Sequence, residues 1–278
     1  MFEGRSLLIA TKHQKDKVLA PIFQKNLGIG QVIVPDFDTD QLGTFSGETP
    51  RKGSPLDAAR AKCLMAFEHS DADLALASEG SFGPHPELLL VHSNEEWLLF
   101  MDRKNQLEIF VREVSFDTNF GGTVVSNWND LREFSSKCQF PSHALVVKDS
   151  EIHPNKIDKG ITDSNQLFEI VETYFSKGKN CYVETDMRAH FNPLRMKVIE
   201  QAGNALVHKI LSCCPQCQAP GFGVVKALSG LPCAWCKSPT RSTLAHLYEC
   251  QQCGYQTEKK HPHQKTQESP EFCNYCNP

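Results

Sequence analysis

The chain of 278 residues has 40% hydrophobic and 22% charged residues and a formal net charge of −4, a composition typical of globular proteins. No apolar run approaches the ~18 residues of a membrane helix, and residues 7–10 are too short a run for a secretory signal, so we expect a cytoplasmic protein with no membrane partner. From Leu211 onward, six lysines and arginines oppose four acids, which is far short of the electrostatic footprint of a dedicated nucleic-acid-binding domain.

The first 84 residues alternate predicted strands with predicted helices. Buried strands are predicted from apolar runs, and helices from apolar residues at helical spacing. The strands are expected at residues 6–11, 31–35 and 73–78, and the helices at residues 16–27 and 54–68. Residues 36–53 are polar and rich in Gly, Thr and Pro, which indicates a surface loop. This order is typical of an α/β fold with a largely parallel sheet.

Beyond residue 86 the predicted strands follow one another directly, which indicates an antiparallel meander added to the sheet. The remaining elements are strands at residues 87–91, 96–102, 107–114, 143–148 and 181–184, and helices at residues 127–136, 164–176 and 193–212. We therefore predict an α/β domain over residues 1–192, with a mixed, partly parallel sheet flanked by helices. A connecting helix over residues 193–212 then leads into a cysteine-rich module over residues 213–278.

Polar side chains gather where two predicted strands end, and ligands of open α/β sheets bind beyond the carboxyl ends of the strands. The segment after the first strand opens a helix, so its backbone N–H groups and basic side chains can receive a phosphate. These side chains are Lys12, His13, Lys15 and Lys17. Glu79 follows the third strand, where its carboxylate can hold a hard cation such as Mg²⁺.

A third polar cluster lies at residues 184–195 and contains Asp186, Arg188 and Arg195. Arginine forks suit the recognition of phosphate, and Asp186 is a candidate catalytic acid in the same stretch. The other interpretation is a buried ion-pair network that locks the following helix to the sheet. Both interpretations stay open.

Eight cysteines in the last 65 residues form four Cys-x-x-Cys pairs: Cys214/Cys217, Cys233/Cys236, Cys250/Cys253 and Cys273/Cys276. Eight thiolates fill two closed tetrahedral sites, so the pattern predicts two structural Zn²⁺ ions. The loops between successive pairs, of 15 and 19 residues, suit a sequential pairing of first with second and third with fourth. The interleaved pairing, first with third and second with fourth, remains open.

Four segments resemble an uncharacterised bacterial family of unknown function over nearly the whole chain. They are LGTFSGE at residues 42–48, ASEGSFGPHP at residues 77–86, TDMRA at residues 185–189 and CNYCNP at residues 273–278. This resemblance implies a C-terminal double zinc ribbon and no particular activity.

Residues 7–90 resemble, more distantly, the inosine/xanthosine triphosphate pyrophosphatases, which hydrolyse non-standard nucleoside triphosphates with Mg²⁺. The similarity lies in Ile9-Ala10-Thr11 followed by lysines, in the helical segment at residues 57–62, and in Ser78-Glu79-Gly80. It implies a pyrophosphatase-like architecture in which Lys15 or Lys17 binds phosphate and Asp57 and Glu79 are metal-ligand candidates.

The leading hypothesis is a Mg²⁺-dependent hydrolase of a nucleotide or another phosphorylated small molecule. Glu79, with Glu48 or Asp57, would hold the metal. The phosphate charge would be neutralised by Lys12, Lys15, Arg188 and Arg195.

The alternative hypothesis is a non-enzymatic adaptor whose zinc ribbons bind nucleic acid or a protein. Five aromatic side chains near the cysteines can act as stacking platforms or as the small core of the ribbons. They are Trp235, Tyr248, Tyr255, Phe272 and Tyr275.

Overall fold

A computed structural model of the chain describes residues 1–35, 53–85, 88 and 91–278. They form two compact units, Met1–Leu206 and Val207–Pro278. None of the helices in this part of the chain is long and apolar enough to cross a membrane. The predicted loop at residues 36–53 lies almost entirely outside the described residues, as does Glu48.

The first unit begins with a five-stranded mixed sheet and two helices. The elements are β1 (Ser6–Ala10), α1 (Asp16–Leu27), β2 (Gln31–Ile33), α2 (Pro55–Glu68), β3 (Leu74–Pro84), β4 (His92–Asp102) and β5 (Leu107–Ser115). The strand order is β2-β1-β3-β4-β5, with β1 parallel to both of its neighbours and β3, β4 and β5 antiparallel. The predicted α/β class, with a mixed and partly parallel sheet, is confirmed.

Helices cover both faces of this sheet because its central strands are apolar on both sides. Small residues such as Ala59 on α2 and Ala75 on β3 let that helix pack closely on one face. On the other face, the ring of Phe23 on α1 stacks on Phe100 of β4 with the centroids 6.1 Å apart. The start of α2 is fixed by a capping box between Ser54 and Asp57, so the helix begins where the sequence indicates.

The third strand is longer than its apolar run. We expected β3 to end at residue 78, but the strand continues to Pro84, with Glu79 paired to Trp97 and Gly80 paired to Glu96 of β4. Pairing with a long antiparallel neighbour satisfies the backbone groups, so polar side chains remain within the strand. The expected strand at residues 87–91 falls mostly outside the described residues, and β4 begins at His92.

A second, four-stranded sheet follows in the same unit. Its elements are β6 (Gly122–Val125), α3 (Trp128–Lys137), β7 (Leu145–Lys148), β8 (Ile157–Ile161), α4 (Ser164–Phe175), β9 (Cys181–Thr185) and α5 (Pro193–Leu211). The strand order is β6-β9-β7-β8, and all neighbours are antiparallel. Strands β6 and β8 were absent from the predicted elements because they are short and rich in Gly, Thr and charged residues.

The two faces of the second sheet differ in polarity. Leu145, Val147, Cys181 and Val183 contribute to an apolar core together with residues of α3 and α4. Neighbouring positions on the same strands point to the opposite face, because side chains alternate along a strand. That opposite face carries Lys148, Tyr182 and Glu184, which line a cavity.

The second unit contains a three-stranded antiparallel sheet of β10 (Gly223–Ser229), β11 (Thr243–Glu249) and β12 (Gln256–Lys260), in the order β10-β11-β12. The four Cys-x-x-Cys pairs lie in the turns before, between and after these strands. A small cluster around Phe222 packs against the first and third of these pairs.

Candidate functional site

A cavity of about 710 Å³ lies in the first unit, where the carboxyl ends of β1 and β3 meet the polar face of the second sheet. Its lining is rich in ionisable side chains. The cations are Lys12, Lys15, Lys62, Lys148, Lys159 and Arg188, and the acids are Glu79, Glu151, Glu184 and Asp186. Positive charge is therefore in excess among the described residues that line it, as expected of a site for an anion.

Lys15 is the most buried cation of the cavity, with 5% of its surface exposed. It stands at the start of α1, and its ammonium group donates hydrogen bonds to the hydroxyl (2.8 Å) and the carbonyl oxygen (3.3 Å) of Ser78 on β3. The pKa of Lys15 is lowered to about 7, mainly by burial and also by the nearby charge of Arg195, whereas the charge of Glu96 acts in the opposite direction. This lysine therefore changes its charge near neutral pH.

Thr11 and His13 lie between β1 and α1 on the same wall of the cavity. The hydroxyl of Thr11 is buried and has no hydrogen-bond partner, which is costly unless a ligand or water supplies one. His13 stacks on His190 with the ring centroids 5.2 Å apart, and burial is the main cause of the lowered pKa of His190. The lowered pKa favours the neutral form of the His190 ring that stacks on His13.

Glu79 on β3 is buried at the cavity wall and forms an ion pair with Lys62 of α2. Only 6% of the side chain of Glu79 and 12% of that of Lys62 are exposed. Mutual attraction between the two offsets part of the cost of burying each charge. The pair therefore places one carboxylate and one ammonium group side by side in the middle of β3, at the cavity wall.

On the opposite wall, Asp186 holds Arg188 in place. The guanidinium of Arg188 donates to Asp186 Oδ2 at 2.6 Å, and the N–H groups of Arg188 and Gly160 donate to the same carboxylate. Since its oxygens accept all of these bonds, Asp186 orients the arginine at the cavity rim. A similar pair joins Lys148 to Glu184 at 2.6 Å on the second sheet.

A buried ion pair lies beneath the cavity. Arg195 of α5 and Glu96 of β4 are both fully buried, with 2.7 Å between Arg195 Nε and Glu96 Oε1, and Arg195 also donates to the carbonyl of Met187. Gly80 makes this approach possible, because a Cβ there would lie 2.5 Å from Arg195 Nη2 and 2.8 Å from Glu96 Oε1. The pair links α5, β4 and the Met187 segment.

Most of the predicted site residues come together. Lys12, His13, Lys15, Glu79, Asp186 and Arg188 all line the cavity. Three others do not. Lys17 is exposed and bonds to Gln14 at 2.7 Å, Asp57 caps α2 at an exposed position, and Arg195 is buried beneath the cavity floor.

Sequence reasoning missed Lys62, Lys148 and Lys159 as lining residues. Lys62 is the last residue of the helical segment at residues 57–62 that resembles the pyrophosphatases, but no role in the site was assigned to it from the sequence. Lys148 ends a predicted strand on the face opposite Val147, and strand alternation is the signal that indicates it. Lys159 lies on β8, a strand that the sequence did not indicate.

The eight paired cysteines form two groups of four in the second unit. Within each group all Sγ atoms lie within 4.8 Å of one another, and the shorter separations across the pairs are 3.6–3.8 Å. Four thiolates ~2.3 Å from one tetrahedral ion are separated by about 3.8 Å, so both groups fit a Zn²⁺ ion.

The favoured sequential pairing of the cysteines is wrong. The first group joins the first and third pairs (Cys214, Cys217, Cys250, Cys253), and the second joins the second and fourth (Cys233, Cys236, Cys273, Cys276). The antiparallel sheet explains this. Gly223 at the start of β10 pairs with Glu249 at the end of β11, whereas the turn after β10 and the segment after β12 lie at the opposite end.

Comparisons with known proteins identify a family. A family model described as a domain of unknown function (DUF6671) matches residues 62–278. No curated protein matches the chain. Among solved structures, protein VC0702 from Vibrio cholerae is 10% identical with a TM-score of 0.34, over 75% of this chain and 96% of that chain, a similarity too weak to carry an argument.

Proposed function

Since the chain belongs to the DUF6671 family, a family of unknown function, we propose from the cavity itself that the protein is a Mg²⁺-dependent hydrolase of a nucleotide or related phosphate ester. The observation that carries the proposal is the convergence of six cationic side chains on one cavity at the carboxyl ends of β1 and β3. Ligands of open α/β sheets bind at this edge. Phosphate groups are the anions that lysine and arginine side chains recognise in such positions.

Lys15, Lys12 and Arg188 have distinct roles in this proposal. Lys15 lies deepest, and because its pKa is about 7, the charge of a bound phosphate favours its protonated form. Arg188 is already held by Asp186, so it needs little reordering to form a bidentate contact with phosphate oxygens. Lys12 lies on the same segment as Thr11, whose unpartnered hydroxyl can donate to a phosphate oxygen.

Glu79 is the residue that fits the proposed Mg²⁺ ion. Among the described residues, the two cysteine groups are the only clusters of three or more potential His, Cys, Asp or Glu ligands, so the cavity offers no complete protein cage. Mg²⁺ commonly binds through one or two carboxylates together with substrate phosphates, and one buried carboxylate at the cavity wall fits that arrangement. When bound, the ion would neutralise charge on the phosphate oxygens.

The pyrophosphatase-like architecture and the cleavage of a nucleoside triphosphate belong to this proposal. They are supported by Ala10, Thr11, Lys15 and Glu79, which belong to the segments that resemble the pyrophosphatases and which line the cavity. In this proposal the two cysteine groups have a structural role, since four thiolates would fill the coordination of a Zn²⁺ ion in each group and leave no open position for a substrate. Metal-bound thiolates also favour a reducing compartment such as the cytoplasm.

The test is hydrolysis of a panel of nucleoside triphosphates by the full-length, zinc-loaded protein with Mg²⁺, measured as release of phosphate and of pyrophosphate. We expect activity with at least one substrate and a loss of 100-fold or more in Glu79→Gln and Lys15→Met, in line with the removal of a group that stabilises transition-state charge.

Two matched variants serve as controls. Lys17→Met removes a lysine from the same helix as Lys15, and Asp57→Asn removes a carboxylate from the same segment of resemblance as Glu79, but neither residue lines the cavity. Both should retain activity. Absence of phosphate and pyrophosphate release across the panel would refute the hydrolase proposal, and equal losses in the cavity and control variants would refute the assignment of the site.

A further inference from the structure

The four Cys-x-x-Cys turns of the second unit share one backbone geometry. In each of them, the N–H of the residue after the second cysteine donates to the carbonyl oxygen of the first cysteine. These bonds are Gln218 to Cys214 (2.9 Å), Lys237 to Cys233 (3.1 Å), Gly254 to Cys250 (2.9 Å) and Asn277 to Cys273 (2.8 Å). Residues at the same position of different turns can therefore be compared directly.

The position just before the second cysteine differs between the two metal-binding groups. It is Gln216 and Gln252 in the first group and Trp235 and Tyr275 in the second. The N–H groups of Gln216 and Trp235 each donate to the Sγ atom of the preceding cysteine at 3.4 Å, so the two side chains start from equivalent backbone positions. Because glutamine occupies this position in the first group, the metal site itself does not require an aromatic ring there.

The aromatic side chains of the second group are also not core residues. Trp235 and Tyr275 are each 76% exposed, and Phe272, which precedes Cys273, is 62% exposed. By contrast, Tyr248 and Tyr255 pack on Phe222 with ring centroids 5.7 and 5.9 Å away. The structure thus separates the five aromatic residues named in the sequence analysis into a pair that packs on Phe222 in the core and an exposed set of three.

We propose that Trp235, Phe272 and Tyr275 form an aromatic surface that binds single-stranded nucleic acid by stacking on its bases. Exposed aromatic rings suit planar bases, since base stacking needs only a flat π face. The two rings at equivalent positions belong to turns that share one cysteine group, with Cys233 Sγ and Cys276 Sγ 3.8 Å apart, so both rings flank one metal-binding site.

The charge of the unit complements this ligand. Residues 207–278 contain seven lysines and arginines and four acids. Lys237 follows directly on the turn that carries Trp235, and Arg241 lies four residues beyond it. One of the four acids, Glu268, is paired with Lys265 at 3.0 Å. A modest positive excess beside aromatic rings suits the phosphates of a nucleic acid and predicts only a weak dependence of binding on salt.

The test measures binding of fluorescein-labelled 12-nucleotide RNA and DNA to the full-length, zinc-loaded protein by fluorescence anisotropy across salt concentrations. The key variant is Trp235→Gln/Tyr275→Gln, which copies the side chains of the first group into the second. At about five-fold per stacked base, the low end for aromatic stacking, its affinity should fall at least ~25-fold. The matched control, Gln216→Ala/Gln252→Ala, should bind as well as the unaltered protein.

Measured zinc content shows whether each variant keeps its fold, with two ions per chain expected throughout. Lys15→Met tests whether the oligonucleotide binds instead in the basic cavity of the first unit. We expect this variant to bind the oligonucleotide with unchanged affinity. The proposal is overturned if the unaltered protein binds neither oligonucleotide at low salt, if the double glutamine variant binds equally well with its zinc intact, or if Lys15→Met abolishes binding.

Discussion

The burial of Lys15 makes a quantitative prediction about stability and pH. The lysine has a pKa of about 7 in the folded protein, whereas a lysine exposed to water, as in the unfolded chain, has an ordinary pKa of 10.5. Between these values the unfolded chain binds more protons than the folded protein, so stability rises with pH. The cost of this burial is about 4 kcal/mol at pH 7 and falls to about 1 kcal/mol at pH 10.

Lys15→Met removes this cost while keeping a long, flexible side chain in the same space. The difference in unfolding free energy between Lys15→Met and the unaltered protein should therefore be about 3 kcal/mol more favourable to the variant at pH 7 than at pH 10. Loss of the hydrogen bonds to Ser78 acts against the variant at both pH values and cancels in this comparison. The same variant should lose phosphate binding, so it gains stability at the expense of function.

Urea unfolding followed by tryptophan fluorescence is the appropriate assay, with zinc present throughout. Trp97 and Trp128 belong to the first unit, whereas Trp235 is 76% exposed and should change little on unfolding. Lys17→Met is the matched control, because Lys17 is exposed on the same helix. A stability difference for Lys15→Met that is the same at pH 7 and pH 10 would refute the assignment of a buried, readily deprotonated lysine.

Three further predictions concern packing, the buried ion pair and the metal sites. Gly80→Ala should destabilise the protein by about 1–3 kcal/mol in urea unfolding, because a Cβ would lie 2.5 Å from Arg195 Nη2, and an unchanged midpoint would contradict that crowding. Arg195→Met should cost about 3–5 kcal/mol by leaving Glu96 buried alone, and Arg195→Met/Glu96→Leu should recover most of it, so an additive double variant would rule out the coupling. Cys217→Ala/Cys236→Ala should lose both zinc ions by elemental analysis, whereas sequential pairing would leave one.

Local sequence signals were sufficient to predict much of the first sheet and the helices that cover it. Helix α1 was predicted over its observed range, Asp16–Leu27, because the apolar spacing indicates the helix and the glycine that follows indicates its end. Helix α2 was recognised from Ser54 and Pro55, which form its N-terminal cap. The end of β3 was misplaced because backbone pairing with β4, rather than apolar character, carries that strand through Glu79 and Gly80.

Part of the candidate site was also accessible from the sequence. Lys15, Glu79 and Arg188 were selected because polar residues at the ends of apolar strands indicate a ligand site. Lys148 and Lys159 were not, because their strands belong to a second sheet whose polar face meets the first sheet only in the folded chain. No local pattern indicates that two segments more than 130 residues apart line one cavity.

By itself the sequence determined the chemistry that is available: eight thiols in four turns, a lysine-rich helix start and an acid directly after an apolar run. The tertiary structure decided which of these groups meet. Antiparallel pairing of β10, β11 and β12 places alternate cysteine turns at opposite ends of the sheet, so the metal groups interleave. Burial determined the charge properties of the site, since Lys15 acquires its pKa of about 7 only when the folded chain removes it from water.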